Sequence, residues 1–324
     1  MKALQFIGAG KPLTPKDIPA PTPEPGWVVI DVHAAGLCHS DVHILRRPEA
    51  TWVFKTPIVL GHEVAGTIAA LGEGVTGFDI GDRVGIALIS HPFGEGLSFA
   101  PGLAVDGGYA EQTLAHASTL VRIPDNVSFA QAAVATDSVA TAYHAVRSTA
   151  QVVPGQNVGI IGMGGLGLNG VRVAALQGAT VYGVDINTSM FEAAGQLGAA
   201  ECFTDIADLK ALQPDVVIDF AGAGATTAAA VEAVRPGGRV VVIGLEAGSA
   251  EINIPHMVLL SIQLHGSLGA SKQDLVEVYD LIAAGELQPR IEGVAFDDVP
   301  AALDRLHRGE VTGRLVTNPQ ERLS

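Results

Sequence analysis

The chain has 324 residues, with 19 Lys+Arg against 34 Asp+Glu for a formal net charge of −15, and only 2 Cys. That length supports about two domains with a sizeable core, and two cysteines exclude both a disulfide framework and a four-cysteine zinc lobe. The acidic balance argues against nucleic acid and anionic membrane as general partners, because both attract basic surfaces; a local phosphate site stays open.

Met1-Lys2-Ala3-Leu4-Gln5-Phe6 lacks the apolar core of a signal peptide, and prolines follow at 12, 15 and 19. The expected location is the cytoplasm. Residues 1–134 are rich in Pro, Gly and short Val/Ile runs. Val28–Val32, Val64–Ile68 and Arg83–Ile86 read as short strands between turns, which is irregular β structure. From about residue 138 strands alternate with helices. Asn157–Ile161, Thr180–Val184, Val216–Phe220 and Arg239–Ile243 carry the buried-strand signal. Leu166–Leu176, Thr226–Val234 and the run before Leu197 carry the helical one. This alternation predicts a parallel, doubly wound α/β sheet. A helix over Asp274–Ala284 and a mixed segment closing at Thr312–Val316 complete the chain. The expected domains are 1–137, an inserted 138–269, and 270–324 returning to the first. The most apolar stretch, Gly155–Val171, is uncharged but holds seven glycines, so it reads as strand, turn and helix, not as a membrane span.

Gly162-Met163-Gly164-Gly165-Leu166-Gly167 matches G-x-G-x-x-G directly after a strand and at a helix start. Its glycines allow a tight turn, close approach of the backbone to a pyrophosphate, and close helix–strand packing. The helix N-terminus adds free N–H groups and a positive dipole end. The next strand ends in Asp185, whose carboxylate can accept both ribose hydroxyls. A 2′-phosphate would be repelled there, and Ile186-Asn187-Thr188 offers no cation, so NAD is favoured over NADP.

In the first domain, Cys38-His39-Ser40-Asp41-Val42-His43 packs a thiol, two imidazoles, a hydroxyl and a carboxylate into six positions. Gly61-His62-Glu63-x2-Gly66-x5-Gly72-x2-Val75 follows. This string, with the Cys-His-Ser-Asp run and the downstream glycine motif in order, resembles the signature of zinc-containing alcohol dehydrogenases of the medium-chain dehydrogenase/reductase family. The resemblance extends over essentially the whole chain, to the closing Gly313-Arg314. It implies a GroES-like β-rich catalytic domain around a Rossmann domain, with one catalytic Zn²⁺ per chain.

Cys38 and His62 match the family's zinc ligands directly. Glu63 resembles an acidic residue near the metal that can act as an alternate ligand, and Asp41 a carboxylate orienting His62. The family's usual third ligand is a cysteine four residues before a threonine; here Asp137 stands four residues before Thr141. A carboxylate is an accepted zinc ligand and keeps the charge of a thiolate. The alternative is a polar turn residue with zinc weak or absent. Ser40 and His43 are expected to relay the substrate proton through the cofactor ribose, histidine serving last because its pKa lies nearest neutrality. By resemblance, His39 and Arg314 meet cofactor phosphates and Thr141 the nicotinamide.

No cysteine occurs between Ser90 and Tyr109, so no structural zinc is expected, and Cys202 reads as a small buried hydrophobe. Trp52 and Leu88, with Phe54, Leu245 and Leu268, stand near positions lining the family's substrate pocket, which implies an apolar alcohol or ketone. His256, His265 and His307 read as structural or surface residues. A polyol or sugar dehydrogenase and a non-enzymatic dinucleotide-binding protein are the alternatives; a zinc-free quinone reductase would have no use for Cys38. A homo-oligomer, dimer or tetramer, is inherited from the resemblance.

Overall fold

The computed structural model describes residues 1–48, 52–92 and 97–321. Residues 93–96, part of the cysteine-free stretch noted above, lie outside the described residues. Two compact units are present: residues 1–140 with 269–324, and residues 141–268.

The first unit is built on a mixed sheet whose spatial order is Ile291–Val294, Arg314–Thr317, Trp27–Leu37, Glu63–Leu71, Arg83–Ile86 and Leu120–Arg122, with Gln112–His116 also pairing Trp27–Leu37. The closing segment therefore becomes a strand, with Leu315 opposite Leu37 and Val316 opposite Gly36 in an antiparallel pair. That pairing sets Arg314 beside the start of the Cys38 loop. Alternating apolar residues bury Val28, Ile30 and Val32 in a core with Leu37, Val64, Ile68, Val84 and Ile86. A strand at Lys2–Phe6, paired with Thr14–Asp17, was not foreseen in the proline-rich N-terminus.

The second unit holds six parallel strands in the order Ala199–Phe203, Thr180–Val184, Asn157–Ile161, Val216–Asp219, Arg239–Val242 and Gln263–Gly266. Numbered along the chain, this is 3-2-1-4-5-6, the doubly wound arrangement that places a ligand crevice where the order reverses. The reversal lies at Asn157–Ile161, the strand feeding the glycine turn. Its residues are apolar on both faces, as expected of a parallel strand covered by helices on each side. Cys202 sits on the outer strand of this sheet and is half-buried, so it is less enclosed than expected. Among the described residues no helix is long and apolar enough to cross a membrane.

Candidate functional site

Three chain segments bring the candidate metal ligands together within the first unit. Cys38 caps the helix His39–Arg46: the Ser40 N–H donates to its Sγ at 3.5 Å, and its own N–H donates to Asp41 Oδ2 at 3.1 Å. The reciprocal pattern is a capping box, so Asp41 is held by the helix start as well as by its neighbours. His62 lies just before the strand Glu63–Leu71. Asp137 lies in a π-helical turn, Ala135–Val139, between two α-helical segments; such bulges re-aim a side chain that a regular helix would direct elsewhere.

The Cys38 sulfur, one His62 ring nitrogen and one Asp137 oxygen all lie within 4.8 Å of one another, and all three residues are buried. Asp137 Oδ2 is 3.4 Å from His62 Nε2 and 3.7 Å from Cys38 Sγ. On the other side of the ring, His62 Nδ1 faces Asp41 Oδ1 at 3.4 Å. Burial alone would lower the His62 pKa, but the charges of Asp41 and Cys38, with the Asp137 and Asp41 oxygens, raise it well above the usual value. Burial likewise pushes Asp41 up, yet the His62 charge and bonds from His62, Tyr109 and the Cys38 N–H hold it below the usual value. The surroundings of His62 thus favour positive charge. One sulfur, one imidazole and one carboxylate converging at buried residues are a donor set that fits a zinc ion.

Glu63 and Arg314 form a second buried pair against this group. Arg314 Nη2 donates to Glu63 Oε1 at 2.7 Å and its Nε to Glu63 Oε2 at 3.0 Å; Nη2 also lies 3.3 Å from Asp137 Oδ2. The Ser138 N–H donates to Glu63 Oε1 at 2.9 Å. Burial would lower the Arg314 pKa, but the charges of Cys38, Glu63 and Asp137 hold it well above its usual value. Burial pushes the Glu63 carboxyl up against the pull of Arg314. Arg314, expected at a cofactor phosphate, is buried and has its Nε and Nη2 on carboxylates. Glu63 has no exposed surface, and the guanidinium supplies the counter-charge that a buried carboxylate needs.

The dinucleotide residues lie in the second unit. Gly162 has φ +81°, and a Cβ on Gly167 would fall onto the Gly162 carbonyl, so the turn closes only without side chains there. A Cβ on Gly164 would meet nothing, which leaves its backbone open to a ligand. The helix Gly167–Leu176 begins after Gly165-Leu166 with no side-chain cap, its N-terminus directed from the turn. Asp185 accepts from the Met163 N–H at 2.6 Å and the Asn187 N–H at 2.8 Å, fastening the carboxylate to the turn. Ile186 is exposed and Thr141 buried. These residues fit a dinucleotide.

The alcohol dehydrogenase GroES-like domain family matches residues 24–125, and the zinc-binding dehydrogenase family matches residues 165–284. An alcohol dehydrogenase of Geobacillus stearothermophilus is 33% identical over 98% of this chain and 99% of its own. An NAD-dependent alcohol dehydrogenase of Sulfurisphaera tokodaii is 32% identical over 98% and 100%. The chain belongs to the zinc-containing alcohol dehydrogenases. Among solved structures, acetophenone reductase from Geotrichum candidum in complex with NAD superposes with a TM-score of 0.89, 31% identity, and coverage of 98% and 97%. The alcohol dehydrogenase of Aeropyrum pernix gives 0.89 at 28% identity, covering 98% and 100%. As an oxidoreductase of this family the chain is an enzyme, which removes the non-catalytic alternative.

Within this alcohol dehydrogenase frame the remaining expected residues take the following places. His39 is exposed and Ser40 half-buried. Ser40 and His43 are three residues apart on one helix, where side chains share a face. His43 packs its ring 5.9 Å from that of Trp52. Leu88 is half-buried, whereas Phe54 is 65% exposed and Leu245 and Leu268 are also exposed. One residue of the dehydrogenase site was missed by sequence: Tyr109, fully buried, donates its hydroxyl to Asp41 Oδ2 at 2.8 Å.

Proposed function

We propose that this alcohol dehydrogenase oxidises a small apolar alcohol reversibly to an aldehyde or ketone, using NAD and one zinc per chain. The observation that carries this reading is the convergence of the buried residues Cys38, His62 and Asp137 in a chain that also holds the Gly162–Gly167 turn fastened by Asp185. When bound, zinc would supply Lewis acidity for the alcohol and NAD would supply a hydride acceptor.

The chain's own residues take the following parts. Cys38, His62 and Asp137 hold the metal, and Asp41 fixes the tautomer of His62 by accepting at Nδ1. Ser40 accepts the alcohol proton at its hydroxyl oxygen and passes one on toward His43, whose imidazole exchanges it with solvent. Glu63, with Arg314 as counter-ion, keeps a negative charge behind Asp137. Asp185 accepts the ribose hydroxyls and disfavours a 2′-phosphate. His39 and Thr141 serve the cofactor. Half-buried Trp52 and Leu88 support an apolar substrate. The carboxylate Asp137, in place of the family's usual cysteine, is the observation that favours the second reading, a polyol or sugar dehydrogenase. Initial rates on 2-alcohols, benzyl alcohol and sorbitol, each with NAD and NADP, separate the two: preference for sorbitol would overturn the apolar assignment.

Removing the Asp185 carboxylate with Asp185→Ala deletes charge-assisted hydrogen bonds worth about 1.5–3 kcal/mol, which is about a 10- to 100-fold rise in KM for NAD. The preference for NAD over NADP should narrow at the same time; an unchanged cofactor preference would contradict the assigned role.

We also propose that the chain self-associates and works in the cytoplasm. Both cysteines are free thiols, in keeping with a reducing compartment. The outer strand Gln263–Gly266 is exposed along its length, and Leu264, Val258 and Leu259 (81% exposed) lie on or near it. An uncovered strand edge beside apolar side chains favours pairing with another chain. Light scattering should give at least twice the 33.3 kDa chain mass; a monomer at micromolar concentration would contradict this.

A further inference from the structure

We infer that Tyr109 is a positioning residue for the metal site, holding His62 from two sides through its ring and its hydroxyl; this rests on the zinc reading above. Tyr109 has no exposed surface and lies on a backbone ladder that fixes its register. Its N–H donates to the Leu60 carbonyl at 3.0 Å, and the neighbouring Gly108 N–H donates to the Gly61 carbonyl at 2.7 Å. The segment that carries Tyr109 is thus bonded to the two residues immediately before His62.

The ring makes the first contact. A Cβ on Gly61 would lie 2.7 Å from Tyr109 Cδ1 and 2.8 Å from Cε1, so the ring lies directly beside Gly61, the residue preceding His62. Gly61 also has φ +90°, a conformation that side chains rarely adopt. The turn that aims His62 therefore accommodates the ring of Tyr109 in the space a side chain would fill.

The hydroxyl makes the second contact. It lies 2.8 Å from Asp41 Oδ2 and 3.3 Å from the Gly36 carbonyl. A phenol has one proton to give, and the shorter, charge-assisted bond to the carboxylate takes it. Asp41 Oδ2 then accepts from Tyr109 and from the Cys38 N–H, while Oδ1 faces His62 Nδ1 at 3.4 Å, and among the described residues neither of these two atoms has a hydrogen-bond partner. Without Tyr109 the carboxylate would keep a single donor on Oδ2 and could rotate away from the imidazole. The chain Tyr109–Asp41–His62 is an outer support of the ligand, and such supports set metal affinity and ring orientation.

Tyr109→Phe keeps the ring and removes only the hydroxyl. Chelator competition on the full chain should show zinc bound about tenfold more weakly, the low end of the effect of outer supports on a metal ligand. The visible absorption of the cobalt-loaded protein should shift, because the orientation of the imidazole changes. Tyr109→Phe placed on Asp41→Asn should add nothing further, since the hydroxyl acts through that carboxylate. Unchanged zinc affinity and an unchanged cobalt spectrum in Tyr109→Phe would overturn the inference. So would an equal tenfold loss in the Asp41→Asn background, even where the single variant is less stable to heat. A wild-type chain that takes up neither zinc nor cobalt would overturn the zinc reading and this inference together; normal uptake with an indifferent Tyr109→Phe overturns this one alone.

Discussion

Replacing Asp137 by alanine is expected to strip zinc from the protein and lower turnover by about a thousandfold, because the metal's polarisation of the alcohol is worth several kcal/mol. NAD binding should persist, since the Gly162–Gly167 turn and Asp185 lie in the other compact unit. The effect follows from the composition of the site. With Asp137 removed, Cys38 and His62 are what remains of the three-residue group found among the described residues, and zinc sites that turn over substrate use three protein ligands. Asp137→Cys restores a ligand of equal charge and is expected to recover both zinc and activity. An Asp137→Ala protein that keeps its zinc and full turnover would contradict the ligand assignment.

Replacing Arg314 by leucine is expected to destabilise the fold by about 3–5 kcal/mol, the range for breaking a buried ion pair from one side. Both partners are enclosed, Arg314 at 3% exposure and Glu63 at 0%. Without the guanidinium, Glu63 keeps the Ser138 N–H, and burial drives its carboxyl toward the protonated form. Asp137 loses its cationic neighbour as well, so zinc binding should change along with stability. Lysine would not substitute, because one ammonium cannot reproduce the two-pronged contact of Nε and Nη2. Denaturant titration measures the change; a loss of less than about 0.5 kcal/mol, the level of an ordinary surface substitution, would show that the pair is not the anchor it looks like.

Legibility in the sequence followed the physics of each element. The strands Asn157–Ile161, Thr180–Val184 and Val216–Asp219 were readable because parallel strands covered on both faces are rich in Val and Ile and do not alternate with polar residues. The glycine turn and Asp185 were readable because their spacing along the chain is short and is set by the turn itself. Cys38, His62 and Asp137 were joined in one site only through the family resemblance, since they lie far apart along the chain. That they meet within 4.8 Å is a property of the folded sheet and of the π-helical turn, neither of which leaves a periodic signal. Tyr109 and Asp41 are 68 residues apart, and nothing local to either one announces the bond. The burial of Arg314 was not legible, because sequence gives no measure of it. Once the closing strand pairs with Leu37 and its neighbours, the guanidinium has Glu63 as its nearest partner. Cys202 was expected to be enclosed and is half-buried, because its strand lies at the margin of the six-stranded sheet.

The central claim is that Cys38, His62 and Asp137 hold a zinc ion on which alcohol oxidation depends. Elemental analysis of the purified protein, combined with NAD-linked turnover before and after chelation, tests it most directly. One zinc per chain is expected, with activity lost on chelation and regained on adding zinc back. A metal-free protein that oxidises alcohols at an undiminished rate would contradict the account.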